Sequence, residues 1–257
     1  MKIVLLGSGN VATHLGRSFK MAGQDIVQVY SRDPQNAHQL ADSLGADTVE
    51  NLSDITKNAD LYIIAVKDDA IRRVALTLSL SDQLVIHTSG STDLNVLDGV
   101  SERTGVFYPL QTFSKLKAID FRQIPITIEG NSEEVTSTLR GIADRLSEKV
   151  IELNSIQRQT LHTAAVFACN FTNHMYTLAA ELLKTQNLDF DLLRPLIAET
   201  AFKIQLNDPA DMQTGPAVRE DFNTLDKQKE LLDHDGSVRE LFEKISQSII
   251  NYHKQSS

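Results

Sequence analysis

One cysteine, Cys169, stands among 257 residues, which excludes an internal disulfide and a thiolate metal cluster. It sits in an apolar stretch, where the expected role is that of a small buried hydrophobe. The histidines do not cluster at ligand spacing, and HExxH, GxSxG and Walker sequences are absent, so a zinc hydrolase, a nucleophile elbow and a P-loop are set aside. Positive charge is scarce as well: the net charge is -9 and no basic tract stands out. That balance argues against a nucleic-acid partner and fits a solvated acidic surface. The segment Leu161 to Leu183 is apolar almost all round, but Asn170, Thr172, Asn173 and His174 interrupt it too heavily for a membrane span. Nothing at the N-terminus resembles a signal peptide, because the apolar run begins at once and reads as a strand, so the expected compartment is the cytoplasm. What remains is 41% hydrophobic and 23% charged, a composition for one large globular domain or two of ordinary size.

The stretch KIVLLGSGNVATHLG, Lys2 to Gly16, reads as strand, tight turn and helix. Val11, Leu15, Phe19 and Ala22 recur at helical spacing until Gly23. Within the turn, Gly7, Ser8, Gly9, Asn10, Val11 and Ala12 form a GxGxxA pattern. In a dinucleotide site the first glycine makes the turn, the second lets a pyrophosphate approach the backbone, and a small third residue lets helix and strand pack. The unpaired amides of the helix start and its dipole favour an anion there. A glycine turn alone is weak evidence; its place after a buried-type strand, with a second strand at the right distance, makes dinucleotide binding the better reading.

Strands are expected at Ile26–Tyr30, Leu61–Val66, Leu84–His87, Gly105–Tyr108, Ile124–Ile128 and Val150–Leu153, with a helix over Pro34–Leu44 that ends at Gly45. The continuous apolar run LYIIAV suits a strand covered on both faces. Asp68 or Asp69 is the expected cap of the helix that follows it, and Asn131 the expected cap of the helix in NSEEV. Such alternation implies an α/β Rossmann-like domain with a mostly parallel sheet, whose ligands bind beyond the carboxyl ends of the strands. From Asn154 onward the periods are helical. The expected division is a dinucleotide-binding domain over residues 1–153 and an all-α domain over 154–257. The apolar helix needs cover on every side, which predicts a homodimer through the helical domain.

In VYSRDP the position at the end of the second strand, where NAD enzymes carry an acidic residue, is Ser31. Ser31 can donate a hydrogen bond to a 2′-phosphate, and Arg32 can present a charged fork to it, which points to NADP. Asp33, the alternative carboxylate for NAD, is the expected cap of a helix opening on Pro34.

The stretches LLGSGNVATHLG, VYSRDP, AVKDDAI, VIHTSGS, GVFYPLQTFSK, HTAAVFACNFTNH and TGPAVRED, in this order, resemble bacterial NADP oxidoreductases in which a Rossmann-like domain precedes a helical domain of unknown function. These are similar to pyrroline-5-carboxylate reductase, ketopantoate reductase and the 6-phosphogluconate dehydrogenase group, whose C-terminal domain the all-α half is expected to resemble. The resemblance implies that Val66, Lys67 and Asp68 pass along the cofactor and that Thr88, Ser89 and Gly90 approach its nicotinamide end. Proline is the residue expected at Lys67.

Hydride transfer needs a proton to be supplied or removed by the protein. His162 is the candidate for that role, and Asn170 and Asn173 follow it two and three turns later at similar angles on an unbroken α-helix. Aligned polar groups on an apolar helix need partners: a small-molecule substrate in a cleft between the domains, or a hydrogen-bond network across a dimer. His162 is open to both roles, and His87 is a second proton-handling candidate or a plain sheet-end residue. Tyr108 and Gln111 are candidate pocket residues. Arg219 either binds an acidic substrate or pairs with Glu220, Asp221 or a neighbouring chain, the pairing being favoured. The whole reads as an oxidoreductase acting on a small carbonyl or imine; the alternative is a non-catalytic NADP-binding sensor.

Overall fold

The computed structural model describes residues 1–114 and 119–256, so Lys115, the last residue of GVFYPLQTFSK, lies outside the described residues. Two compact units are present, Met1–Asn170 and Phe171–Ser257. The first is built on strands β1 (Lys2–Leu6), β2 (Asp25–Tyr30), β3 (Asp47–Val49), β4 (Leu61–Ile64), β5 (Leu84–His87), β6 (Arg103–Pro109), β7 (Ile126–Gly130) and β8 (Val150–Glu152). Among the described residues they form one sheet of order β3-β2-β1-β4-β5-β6-β7-β8. Every neighbouring pair is parallel except β6 with β7. β3 is a strand of three residues that carries no periodicity of its own, and the sequence reading passes over it.

Helices α1 (Asn10–Met21), α2 (Pro34–Leu44), α3 (Ile71–Thr77), α4 (Glu133–Ala143) and α5 (Ser155–Ala165) also belong to this unit. Alternate residues of each inner strand enter opposite cores. Ile3, Leu5, Leu61 and Ile63 join Leu15 and Phe19 of α1 on one face. Val4, Leu6, Tyr62 and Ile64 join Ile71 and Val74 of α3 on the other. That double cover is why LYII is apolar without interruption. The order reverses between β1 and β4, leaving a crevice beyond their carboxyl ends.

Local signals hold with two corrections. Asp33 caps α2 by accepting from the amides of Gln35 and Asn36, and Gly45 ends it in the left-handed conformation (φ 68°). Ser132, not Asn131, caps α4 by accepting from the amide of Val135; Asn131 instead accepts from the amide of Thr104 and donates to the carbonyl of Glu102, tying the helix entry to β6. Neither Asp68 nor Asp69 caps α3. A single 3-10 turn, Asp68–Ala70, intervenes, and α3 starts without a side-chain cap.

The second unit holds α6 (Thr172–Lys184), α7 (Arg194–Leu206), α8 (Phe222–Glu230) and α9 (Gly236–Ser256), with no strand among the described residues. Its buried cluster consists of Ala217, Leu225 and Ile250, packed with Phe242 and Ile249. Asp221 caps α8 and Glu220 pairs with Lys254 of α9 at 2.8 Å; Arg219 makes no direct ion pair with either acid among the described residues, although its charge acts on Asp221. Both acids are already committed to helix ends within this unit.

Candidate cofactor and proton-transfer site

Gly7, Ser8 and Gly9 join β1 to α1 at the sheet's crevice. Gly7 has φ +129°, and a Cβ there would strike the carbonyl oxygen of Ala65 in the loop after β4, so only glycine lets the two loops meet. Gly9 is different. It is exposed, and a Cβ built on it has nothing within 4 Å. The protein itself therefore makes no demand for glycine there, and the empty space suits a ligand group lying against the backbone. Gly9 is the N-cap of α1, which has no side-chain cap and no acidic residue in its first turn, and this leaves its amides and dipole for an anion. Ala12 is fully buried, while Gly16, one turn on, is where a Cβ would meet Leu44 at 2.8 Å and Leu5 at 3.2 Å. Gly16 thus provides the close helix packing that the motif assigns to its third position.

The ends of β1 and β2 are linked, since Ser8 Oγ donates to Ser31 Oγ at 2.7 Å. Arg32 is exposed and makes no ion pair among the described residues, leaving its guanidinium available beside Ser31. Val66 is half-buried and Lys67 exposed. Lys67 has φ -61° and ψ 147°, a conformation open to proline as well. Asp68 accepts from Ser91 Oγ, joining this loop to the one after β5. The loop after β6 folds toward α1: Asn10 Nδ2 donates to the carbonyl of Phe113 at 2.8 Å, and His14 Nε2 lies 2.9 Å from that of Ser114. Gln111 and Thr112 are exposed in that loop.

Three distant segments meet beside these loops. Tyr108 Oη and His162 Nδ1 share a hydrogen bond of 2.9 Å, and their rings meet edge to face at 5.8 Å. Gly90 lies against both, where a Cβ would come within 2.7 Å of His162 Nδ1 and of Tyr108 Cζ. Thr88, Ser89 and Gly90 are buried. Burial pushes the Tyr108 phenol up, with the nearby charges of Asp68 and Cys169 adding to the shift, so it stays a proton donor through the neutral range. His87 behaves oppositely: it is fully buried, and burial together with the Arg158 charge lowers it to about 4. It therefore carries no exchangeable charge near neutrality and is unsuited to handle the proton.

Asn170 and Asn173 are exposed. Residues Val166–Phe171 form a π-helical segment, whose wider turn breaks the α-helical spacing between His162 and the two asparagines. Cys169 lies in it and is exposed, contrary to the buried role expected from its neighbours. The sequence reading misses the ion pair between Arg158 and Glu129, whose side chains are 0% and 16% exposed. Arg158 sits four residues before His162, on the same helix face.

The chain matches the family described as NADP oxidoreductase, coenzyme F420-dependent, over residues 2–90, and the domain of unknown function DUF2520 over residues 124–249. A provisionally named NADP oxidoreductase from Bacteroides fragilis is 44% identical, with 97% of this chain and 98% of that chain covered and a TM-score of 0.92. The chain belongs to this NADP oxidoreductase family. The same fold extends to an imine reductase from Myxococcus stipitatus in complex with NADP+ (15% identity, 100% and 94% covered, TM-score 0.68). It extends also to a 1-pyrroline-5-carboxylate reductase from Streptococcus pyogenes (14%, 98% and 98%, 0.64). Among curated proteins none matches. This chain combines a Rossmann-like sheet in its first unit with a helical second unit. No helix among the described residues is long and apolar enough to cross a membrane.

Proposed function

We propose that the protein uses NADPH to reduce a C=N or C=O bond of a small metabolite, with Tyr108 and His162 handling the proton. The observation that carries this reading is the 2.9 Å contact between Tyr108 and His162 against Gly90, in the loop after β5. The open space over Gly9 and the uncapped start of α1 fit a pyrophosphate. Ser31 and Arg32 would take the 2′-phosphate, Val66, Lys67 and Asp68 would run along the cofactor, and Thr88, Ser89 and Gly90 would face its nicotinamide end. When bound, NADPH supplies the hydride.

Tyr108 Oη gives up its proton to the nitrogen or oxygen of the bond being reduced, and His162, hydrogen-bonded to that oxygen, restores it. The phenol is protonated through the neutral range, the form a general acid requires. Asn170, on the chain segment that follows His162, would orient the substrate through its exposed amide. The chain works as a homodimer through its helical part in this reading. α7 contains no buried residue, and Leu196, Phe202 and Leu206 on it are exposed at 63%, 60% and 69%, a surface that calls for a covering partner.

Two expected results check the reading. NADPH binds more tightly than NADH, and Arg32→Ala removes most of the difference, costing NADPH about tenfold in Kd through loss of a charge-assisted contact; equal affinities in the wild type count against it. On a panel of cyclic imines, keto acids and aldehydes, followed by NADPH absorbance, His162→Ala and Tyr108→Phe lower turnover about 10²-fold or more, with NADPH affinity and dimer mass unchanged. Wild-type turnover in both variants removes the dyad from the chemistry, and a dissociated His162→Ala protein assigns that histidine to the interface.

A further inference from the structure

His87 ends β5 as a fully buried side chain whose Nδ1 accepts from the amide of Ser89 at 3.2 Å. Its other nitrogen, Nε2, makes no hydrogen bond of normal geometry, and the Asp93 backbone is the nearby group that favours a proton on the ring. An apolar residue would fill this sheet end without burying polar ring atoms, which are costly to desolvate. What it provides in return is an acceptor beneath the next loop.

That loop is tied from below at each step. Ser89 Oγ accepts from the amides of Ser91 (3.2 Å) and Thr92 (3.0 Å) and donates to Thr92 Oγ1 (2.9 Å). Arg158 Nη2 donates to the Thr92 carbonyl at 2.6 Å, and Ser155 Oγ accepts from the amide of Leu94 at 3.1 Å. Glu129 holds Arg158 by an ion pair and Ser155 by hydrogen bonds. Gly90, the residue in contact with Tyr108 and His162, follows directly after the one whose amide His87 accepts.

We propose that His87 is a positioning residue: as a neutral acceptor it fixes the Ser89–Gly90 turn against the Tyr108–His162 pair, and so sets the seat of the cofactor's nicotinamide end. This rests on the reading given above, that the loop after β5 faces the nicotinamide. The role requires the unprotonated imidazole, because a proton on Nδ1 would oppose the Ser89 amide. Burial and the cationic Arg158 on α5 maintain that state, against the opposing pull of Asp93 on the loop itself and Asp68 on the turn after β4.

Calorimetry with NADPH and with 2′-phospho-ADP-ribose, which lacks the nicotinamide, tests the proposal. In the wild type NADPH binds more tightly than the fragment. His87→Phe fills the site but removes the acceptor, and about tenfold in NADPH affinity is lost while fragment affinity stays within about twofold. His87→Asn, whose carbonyl can stand where Nδ1 stood, restores the ratio. A His87→Phe protein that keeps the wild-type ratio overturns the positioning role. A wild type that binds both compounds equally overturns the underlying reading of the loop and the proposal with it. Should the phenylalanine variant fail to fold, nitrogen NMR of the wild type decides: the expected spectrum has the proton on Nε2 and Nδ1 as acceptor at neutral pH, and a proton on Nδ1 contradicts the role.

Discussion

Replacing Arg158 by methionine destabilises the protein by about 3–5 kcal/mol, because the change leaves the Glu129 carboxylate at 16% exposure without its cation. The thioether fills much of the guanidinium's volume, so packing contributes little to this loss. Arg158→Met combined with Glu129→Leu recovers more than half of it, since removing both charges removes the desolvated ion itself. The two side chains, one on α5 and one on β7, are in direct contact as an ion pair, so their energies couple and do not add. Chemical denaturation of the wild type, both single variants and the double variant measures this coupling. A single-variant cost below about 1 kcal/mol, in the range of exposed pairs, contradicts the description of the pair as buried and mutually dependent.

Gly9→Ala separates folding from binding. Space for the added methyl is open, with no atom within 4 Å of the new Cβ, and Gly9 has φ -74°, which alanine adopts freely. Stability therefore changes by less than about 0.5 kcal/mol. NADPH affinity falls about a hundredfold, or about 2.7 kcal/mol, because the methyl occupies the space a pyrophosphate needs against the backbone. At Gly7 the same substitution meets the Ala65 carbonyl with φ at +129°, so the two glycines answer to different constraints. Thermal unfolding and calorimetry on Gly9→Ala give both quantities, and unaltered NADPH binding counts against the glycine loop as the phosphate seat.

Much of the first unit was legible because its signals are local. The glycine loop, the Asp33–Pro34 start and Gly45 end of α2, and the double-sided run in β4 each follow from a few consecutive residues. The antiparallel return of β7 onto β6 was not, because alternation of strands and helices predicts parallel neighbours and no single residue marks the exception. The core of the site depends on pairs far apart in sequence. Tyr108 and His162 are separated by 54 residues, and a tyrosine near the end of a strand gives no sign of the helix it will meet. Arg158 on its helix reads as a solvated charge until β7 brings Glu129 beneath it. The one available signal was Glu129 itself, a carboxylate inside the otherwise apolar strand ITIEG, since a charge in such a strand asks for a partner. The alignment of His162 with Asn170 and Asn173 assumed 3.6 residues per turn throughout, and the π-helical segment between them follows a wider turn.

The most direct measurement is a calorimetric titration of NADPH into the purified wild-type protein. The expected result is saturable binding at one site per chain, with NADH distinctly weaker. The absence of heat with either nucleotide contradicts the assignment of Gly7, Gly9, Ser31 and Arg32 to a cofactor, and with it the reduction proposed for Tyr108 and His162.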